Sequence, residues 1–549
     1  MKKSICLFVV SAFFFAGSVT VQAAEKKGLN LSNDITKETI VGPGSVTVVT
    51  GKDVMMSFGA LIRFVPTAES NWDFGMSDNV PAYLGGAFSN NLYKDHKTEA
   101  GWVNNSYIRN ESKIYFNAMP EDKKWSFYAA LEYDSILENS SVDARGGKDD
   151  GSSNFGLERL HTTMALPGNM RIHAGWDVWE LDAINGGGLI YGDDNPGLWL
   201  TGDYDTMGFN IGYFKLEEND FQVTPATLND ESQDDRDLFA GSFTIKPNKE
   251  NKVGLLYAFD RIRNVSVKDM PGAMTQGAMG IVTGATPVTD SHHLGAVYNG
   301  KFGNFEIMTE GVYQFGEAED TGFAQDDFDI NAYAFAADFA LEFEGLLTGF
   351  PLRPHLGILY TTGDDDASDD KLEGYTGVTN AQRFSKPWGG ENTIAGDTNF
   401  VLGTLLYGYL PELHGNGTPV FTGGLQNGTD LGGGRGDNPG LMMVSTGFTV
   451  APKKFLIYKT NVNMFHWNED FSVANMVNPM LGYSVVEAGY AGTEWDNELT
   501  LALSKNTFIR GQASVFFPGD GVKDVTQAIS GVKADEKATR VATELIWKF

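Results

Sequence analysis

Charged side chains recur at spacings of two along this chain, opposite runs of apolar residues at the intervening positions. Read as extended strand, one face carries Arg63, Arg109, Lys113, Arg159, Arg171, Arg353, Arg510 and Arg540. The same face carries Glu111, Glu132, Asp134, Asp177, Glu494, Asp496, Glu498 and Glu544, together with His161, His173 and His355. Successive side chains of a strand point to opposite faces, so this set lines one side of a sheet. Around a water-filled bore such charges do one of two things. They create transverse fields or rings that select solutes, or they pair across neighbouring strands and stiffen a wet wall.

Bond-making chemistry is poorly served. His161 and His173 with Asp177 nearby would suit a wall-mounted hydrolase only if a serine nucleophile were placed beside them, and no motif places one. His292 and His293 are adjacent, so in a strand they point opposite ways and bind a metal only weakly. Gly432-Gly433-Gly434-Arg435-Gly436 is a flexible loop segment rather than a nucleotide cradle, because no strand and helix flank it. The single cysteine, Cys6, precludes a disulfide framework, and no C-x-x-C-H motif attaches haem. The chain is expected to have no catalytic residues, no metal and no cofactor.

The elements that must position the charges are segments of about ten residues with alternating polarity. They are Asp53–Phe64, Ser106–Met119, Lys124–Asp134, Leu157–Leu166, Met170–Trp179, Gly197–Tyr204, Met207–Leu216, Asp237–Lys246 and Asn251–Asp260. They continue as His292–Phe302, Phe305–Phe315, Asp329–Leu341, Leu352–Thr362, Gly440–Val450, Lys454–Trp467, Ala491–Ser504, Thr507–Phe516 and Ala538–Phe549. Tight turns are expected at Pro120–Lys123, Pro167–Asn169, Pro247-Asn248, Gly303-Asn304, Ala451–Lys453 and Lys505-Asn506. The fold class is all-β: a transmembrane antiparallel up-and-down barrel of eighteen strands. A further apolar segment, Thr398–Tyr409, is excluded by parity. Counting it would move the Ala451–Lys453 turn outside, whereas short turns belong on the periplasmic side and long loops outside. It falls instead in one long external loop, about 363–439, able to fold inward and narrow the bore. Eighteen strands enclose more space than side chains fill, so the interior holds water unless loops plug it.

The ends fit this placement. Lys2 and Lys3 precede an apolar run from Ile5 to Ala16, and Val21-Gln22-Ala23 is a small-residue cleavage site, so 1–23 reads as a secretory signal peptide. Residues 24–52 read as a periplasmic lead-in and 53–549 as the barrel. Val541, Thr543, Leu545, Trp547 and Phe549 share one face of the last strand, and the terminal aromatic suits the interfacial girdle. That strand is the segment expected to meet the barrel-assembly machinery. The chain has 549 residues and a formal charge of −30; loss of Lys2 and Lys3 takes it to −32. This balance argues against nucleic acid as a partner. Much of it lies in loop segments such as Glu217–Asp220, Asp230–Asp237 and Asp364–Asp370, which read as solvated surface or as cation-binding loops beside lipopolysaccharide. The expected location is the bacterial outer membrane.

Several segments resemble the alginate-export family of outer-membrane barrels. They are Asn331–Phe339, Gly357–Asp366 with its strand ending in a Gly-Asp turn, Val312–Gly316, Gly492–Ser504 and Val515–Asp520, in conserved order from about Ser106 to Phe549. The resemblance implies an eighteen-stranded monomeric channel that passes an anionic polysaccharide along basic residues, of which Arg353, Arg159 and Arg109 would be contacts.

The function expected is a channel for small polar solutes or an exported anionic polysaccharide. The alternative is a barrel sheath around a periplasmic multihaem cytochrome. Expected partners are outer-membrane lipid and lipopolysaccharide, the transported solute and, for the alternative, that periplasmic protein.

Overall fold

The computed structural model describes residues 46–49, 53–71, 74–75, 105–137, 156–181, 189–193, 195–217, 236–262, 288–319, 328–344, 349–366, 369–380, 394, 438–474 and 483–549. Alternating burial marks its strands. In Phe328–Leu341, Phe328, Ile330, Ala332, Ala334 and Ala336 are buried while Asp329, Asn331, Tyr333 and Phe335 are exposed.

The barrel strands are β1 (Val54–Ser70), β2 (Asn105–Pro120), β3 (Trp125–Ile136), β4 (Gly156–Leu166), β5 (Met170–Trp176) and β6 (Pro196–Asp203). Next come β7 (Met207–Glu217), β8 (Arg236–Asn248), β9 (Asn251–Ile262), β10 (Val288–Phe302), β11 (Phe305–Glu319) and β12 (Phe328–Leu341). The last are β13 (Pro351–Thr361), β14 (Leu441–Lys453), β15 (Leu456–Trp467), β16 (Gly489–Ala502), β17 (Thr507–Pro518) and β18 (Ala538–Lys548). Each pairs antiparallel with the next, and β18 returns to β1 with Phe64 opposite Leu545 and Ser70 opposite Thr539, closing an 18-strand barrel. Phe549 completes the seam: its N–H donates to the Ala60 carbonyl at 3.0 Å and its carbonyl accepts from the Ala60 N–H at 2.7 Å. Below that point a short strand, Val46–Val49, pairs with Met55–Phe58, so the segment read as a lead-in joins the wall before residue 53.

Closure leaves the sheet of described strands without a free edge strand, as a wall in lipid requires. The outward face is correspondingly apolar: Phe58, Ile114, Leu131, Met164, Ile211, Leu255, Leu294, Trp495, Leu499 and Val541 are all exposed. Aromatic residues collect toward both rims, with Trp125, Phe302, Phe455, Trp547 and Phe549 near the short turns and Tyr213, Phe239, Tyr313 and Tyr333 toward the long loops. Among the described residues no helix is long and apolar enough to cross a membrane. This is an outer-membrane β-barrel.

The expected strands all occur, with revised ends. Two turns move: β8 and β9 turn at Lys249-Glu250 rather than Pro247-Asn248, and β14 and β15 at Lys454-Phe455 rather than Ala451–Lys453. In both hairpins a register irregularity near the turn absorbs the proline, which cannot donate to a ladder. The strand expected at Met170–Trp179 ends at Trp176; Trp179-Glu180 turns away and pairs with Tyr191–Asp193. A helix, α1 (Asp520–Ser530), was not anticipated between β17 and β18. Its Val522, Val525 and Ala528 are buried at helical spacing. Residues 1–23, Thr398–Tyr409 and Gly432–Gly436 lie outside the described residues.

Gly175 on β5 has φ +121°, and a Cβ there would overlap the Leu160 carbonyl oxygen of β4. Gly175→Val therefore adds backbone strain of about 1–3 kcal/mol to a steric clash. The expected outcome is loss of the folded, heat-modifiable band on unboiled gels; a variant that still migrates as a folded barrel would refute this account of the β4–β5 register.

Candidate pore lining

The closure seam carries a chain of alternating charge. Arg63 on β1 reaches Glu544 on β18 through two bonds, Nε to Oε2 and Nη2 to Oε1, both 3.1 Å. The same guanidinium bonds Glu111 on β2. Glu544 also accepts from Arg510 on β17, which lies 3.9 Å from Glu498 on β16. Glu111, Arg63, Glu544, Arg510 and Glu498 thus alternate in sign across five neighbouring strands. Arg63 and Glu544 are almost fully buried, where a charge is tolerable only when paired and hydrogen-bonded. Nearer the external end, Arg540 sits 3.8 Å from Glu69, which also accepts from Tyr107 Oη at 2.8 Å.

The pattern continues round the wall. Lys113 bonds Glu158 and lies 3.2 Å from Glu132, and Arg159 is 3.6 Å from Glu158. Asp134 is placed opposite Glu111 by backbone register. His161 Nδ1 is 3.3 Å from Asp177, and His173 stacks on Trp199 at 5.0 Å and 7°. Arg171 donates to the Lys123 carbonyl at the periplasmic rim. Arg353 reaches Glu306 at 3.1 Å and Asp338 at 3.5 Å, while His355 links Asp338 at 2.8 Å to Asn461 at 2.6 Å. Asp496 accepts from Asn463 at 2.9 Å and Ser514 at 2.6 Å. Arg109 lies on the same face of β2 as Glu111 and Lys113, opposite Val65 and Ile136 in the ladder.

Sequence reasoning missed several members. Glu158 reaches Lys113 because the β3–β4 register shifts between Ala130 and Leu131, and a shift turns a side chain that strict alternation assigns outward. Asp338, Glu306 and Glu310 were within reach of simple alternation, since Asp338 lies inside a segment already singled out. Arg236 and Asp260 form a buried inward pair on β8 and β9, with bonds of 2.9 and 2.7 Å.

The external half of the bore is different. Many inward side chains there are apolar: Phe214, Leu238, Leu256, Leu359, Met443, Phe465, Trp467 and Phe516 belong to one buried cluster. Loop residues complete it, among them Trp179, Leu189, Tyr191, Tyr375, Val378, Ile394, Phe471, Val486 and Val525. Here loops cover an apolar inner wall, which is the exception the sequence expectation allowed, and part of the 363–439 segment expected to fold inward is among them. Residues 372–380 run along that wall. Thr376 N–H donates to Gln314 Oε1 at 2.9 Å, His293 Nε2 donates to the Thr376 carbonyl at 3.0 Å, and Arg236 donates to the Val378 carbonyl at 3.4 Å. Ile394 N–H donates to Glu494 on β16. Val378 and Ile394 are thus anchored on β8 and β16, nearly opposite each other in the ring. His293 faces in and His292 faces out, stacked on Phe259 at 4.5 Å.

Just above β13, Asp364 accepts from the N–H groups of Asp366 at 3.2 Å and Glu373 at 3.1 Å. Burial raises its carboxyl from 3.8 to about 7, against the lowering effect of those two bonds.

No family model matches the chain, and no curated protein matches it. Among solved structures it is similar to the outer membrane protein opdK from Pseudomonas aeruginosa, at 10% identity and a TM-score of 0.44, over 91% of this chain and 99% of that one. A BenF-like porin from Pseudomonas fluorescens Pf-5 gives 10%, 0.45, 90% and 99%. Acinetobacter baumannii OccAB4 gives 10%, 0.43, 90% and 98%.

Two outcomes follow. Glu544→Ala leaves Arg63 and Arg510 buried with reduced pairing and should cost about 3–5 kcal/mol. Urea unfolding in detergent, followed by tryptophan fluorescence, would show a midpoint no lower than wild type if the seam network were idle. For Asp364 the native state binds its proton more tightly than the unfolded chain does. Its stabilising contribution is complete below about pH 4 and is lost as pH rises to about 7. Amide exchange of residues 362–376, corrected for intrinsic rates, should be faster at pH 8 than at pH 5, and Asp364→Asn should abolish that difference.

Proposed function

We propose that the barrel is a passive outer-membrane channel for small polar solutes, with the aqueous path running beside the charged sector from β16 through β18 and β1 to β4. The single observation that supports this most strongly is the alternation of Glu111, Arg63, Glu544, Arg510 and Glu498 around the inner wall. Arg63 and Glu544 are buried as bonded partners, while Glu111, Lys113, Glu132 and Glu498 keep part of their side-chain surface exposed on the inner face, where charge of both signs is natural beside water. The eight basic and eight acidic positions of the inner face read as pore lining on the same grounds, some through wall-stiffening pairs and some through contact with the solute.

Passage of a polyanion, as the alginate-export resemblance implies, asks for cations open to the polymer. Arg63, Arg353 and Arg510 each lie against carboxylates, which favours small solutes over an exported polysaccharide. The cytochrome-sheath alternative gains no specific contact among the described residues. We also infer that the β18 strand, with Phe549 bonded to Ala60, is the segment handled during barrel assembly.

Purified barrel in planar bilayers should give discrete current steps. Glu132→Gln with Glu498→Gln should shift the reversal potential under a salt gradient toward anion permeation, and Lys113→Gln the other way. Absence of steps from folded protein would reject the channel; steps with unaltered reversal potentials would reject this sector as its lining.

A further inference from the structure

A second site lies on the outside of the barrel. His292 on β10 and Phe315 on β11 floor a cavity of about 500 Å³ whose walls include Asp290, Glu317, Asp329 and Lys371. The floor is part of a row of rings on adjacent strands of the outward face. Tyr213 and Phe239 lie 5.0 Å apart, Phe239 and Phe259 6.1 Å, Phe259 and His292 4.5 Å, and His292 and Phe315 5.2 Å. These rings sit a few residues below the external strand ends, the level at which an aromatic girdle marks the boundary between acyl chains and headgroups. Below them Leu294 is exposed to lipid.

One wall of the cavity comes from a loop. β13 pairs with β12 only as far as Ala334 opposite Thr361. Above that, Lys371-Leu372 takes the vacant place and pairs in parallel with Asp329-Ile330. Leu372 is buried against Phe328 and Ile330 on the inner side, while Lys371 is exposed beside the cavity. The long external loop therefore contributes a cation, itself 3.5 Å from Asp369, to an outward-facing site whose other acidic side chains are Asp290, Glu317 and Asp329.

We propose that this cavity binds the phosphoethanolamine headgroup of an outer-leaflet lipid. The ammonium would lie over the His292 and Phe315 rings among Asp290, Glu317 and Asp329, combining cation–π attraction with charge-assisted hydrogen bonds. The phosphate would meet Lys371, a compact ammonium suited to a phosphate oxygen. The acyl chains would continue down the apolar wall past Leu294. Three carboxylates to one lysine disfavour a headgroup bearing phosphate alone. Among the described residues no group of His, Cys, Asp or Glu is set to hold a metal ion, which favours a cation carried on the lipid over a bare divalent ion. This proposal depends on the barrel's outward face and stands apart from the channel reading.

The test uses the full barrel in nanodiscs containing lipid A with or without a phosphoethanolamine substituent, with retained lipid counted by native mass spectrometry. Decorated lipid A should be retained about tenfold more strongly, a difference of about 1.4 kcal/mol. Glu317→Gln with Asp329→Asn should remove that preference while the protein keeps its heat-modifiable mobility. Should the double variant not fold, Glu317→Gln alone, at an exposed position, should reduce the preference severalfold. Equal retention of the two lipids by wild type overturns the proposal. So does a preference that survives in a folded carboxylate variant, because the ammonium would then lie elsewhere.

Discussion

Barrel closure is the constraint on which everything else rests. A strand in lipid has no water to bond its amides, so β18 has to find β1 and leave no edge. The backbone ladder does most of this, down to the bonds between Phe549 and Ala60. Side chains then fix which strands meet. Arg63 bridges Glu111 on one flank and Glu544 on the other, so the buried guanidinium is satisfied only when the last strand lies beside the first. A pair this buried is weak evidence for added stability, since hydrophobic replacements often serve as well. Its value here is specificity, because a slip of one residue would turn Glu544 toward lipid and bring Leu545 inward.

Closure also sets what the interior must do. The inner wall is longer than its side chains can cover, and the chain resolves this in two ways. From β16 through β1 to β4, charges neutralise one another while staying compatible with water. From β7 to β15 the upper wall is apolar and is covered by loops. Ala332, Ala334 and Ala336 are small enough to let residues 372–378 approach the wall, and Gln314, His293 and Arg236 meet that segment's backbone groups. The polar wall residues serve as loop anchors there, a role different from contacting a solute.

The barrel was legible in the sequence because its signal is periodic and repeats in every strand. Parity and the lengths of connections supplied the topology, and alternation put Arg63, Arg510 and Glu544 on one face without any knowledge of their partners. Three things escaped. Glu158 was hidden by a local register shift that no periodicity reveals. Proline displaced two turns into their hairpins' irregular ends. Helix α1 is one short stretch with apolar residues at 522, 525 and 528, too brief for its 3.6 period to stand out among strands.

An inward-folding 363–439 loop was expected from its length, but the part of the wall it would cover was also legible and was passed over. A strand between lipid and water should be apolar on one face only. Toward the external ends of β7 to β9 the sequence is apolar on both: Phe214 beside Tyr213, Leu238 beside Phe239, and Leu256 between Leu255 and Tyr257. In a barrel, the second apolar face can only look inward, where exposure to water would cost about 25 cal/mol per Å². Something must therefore cover it, and the only chain available inside the bore is a loop. The same test separates the two sectors directly. Glu111, Lys113, Glu132 and Glu498 lie on inner faces that alternate cleanly with lipid-facing residues, so those strands need no cover and can border water. Two-sided hydrophobicity within a strand that otherwise alternates is thus a sequence mark of where a barrel's loops turn in.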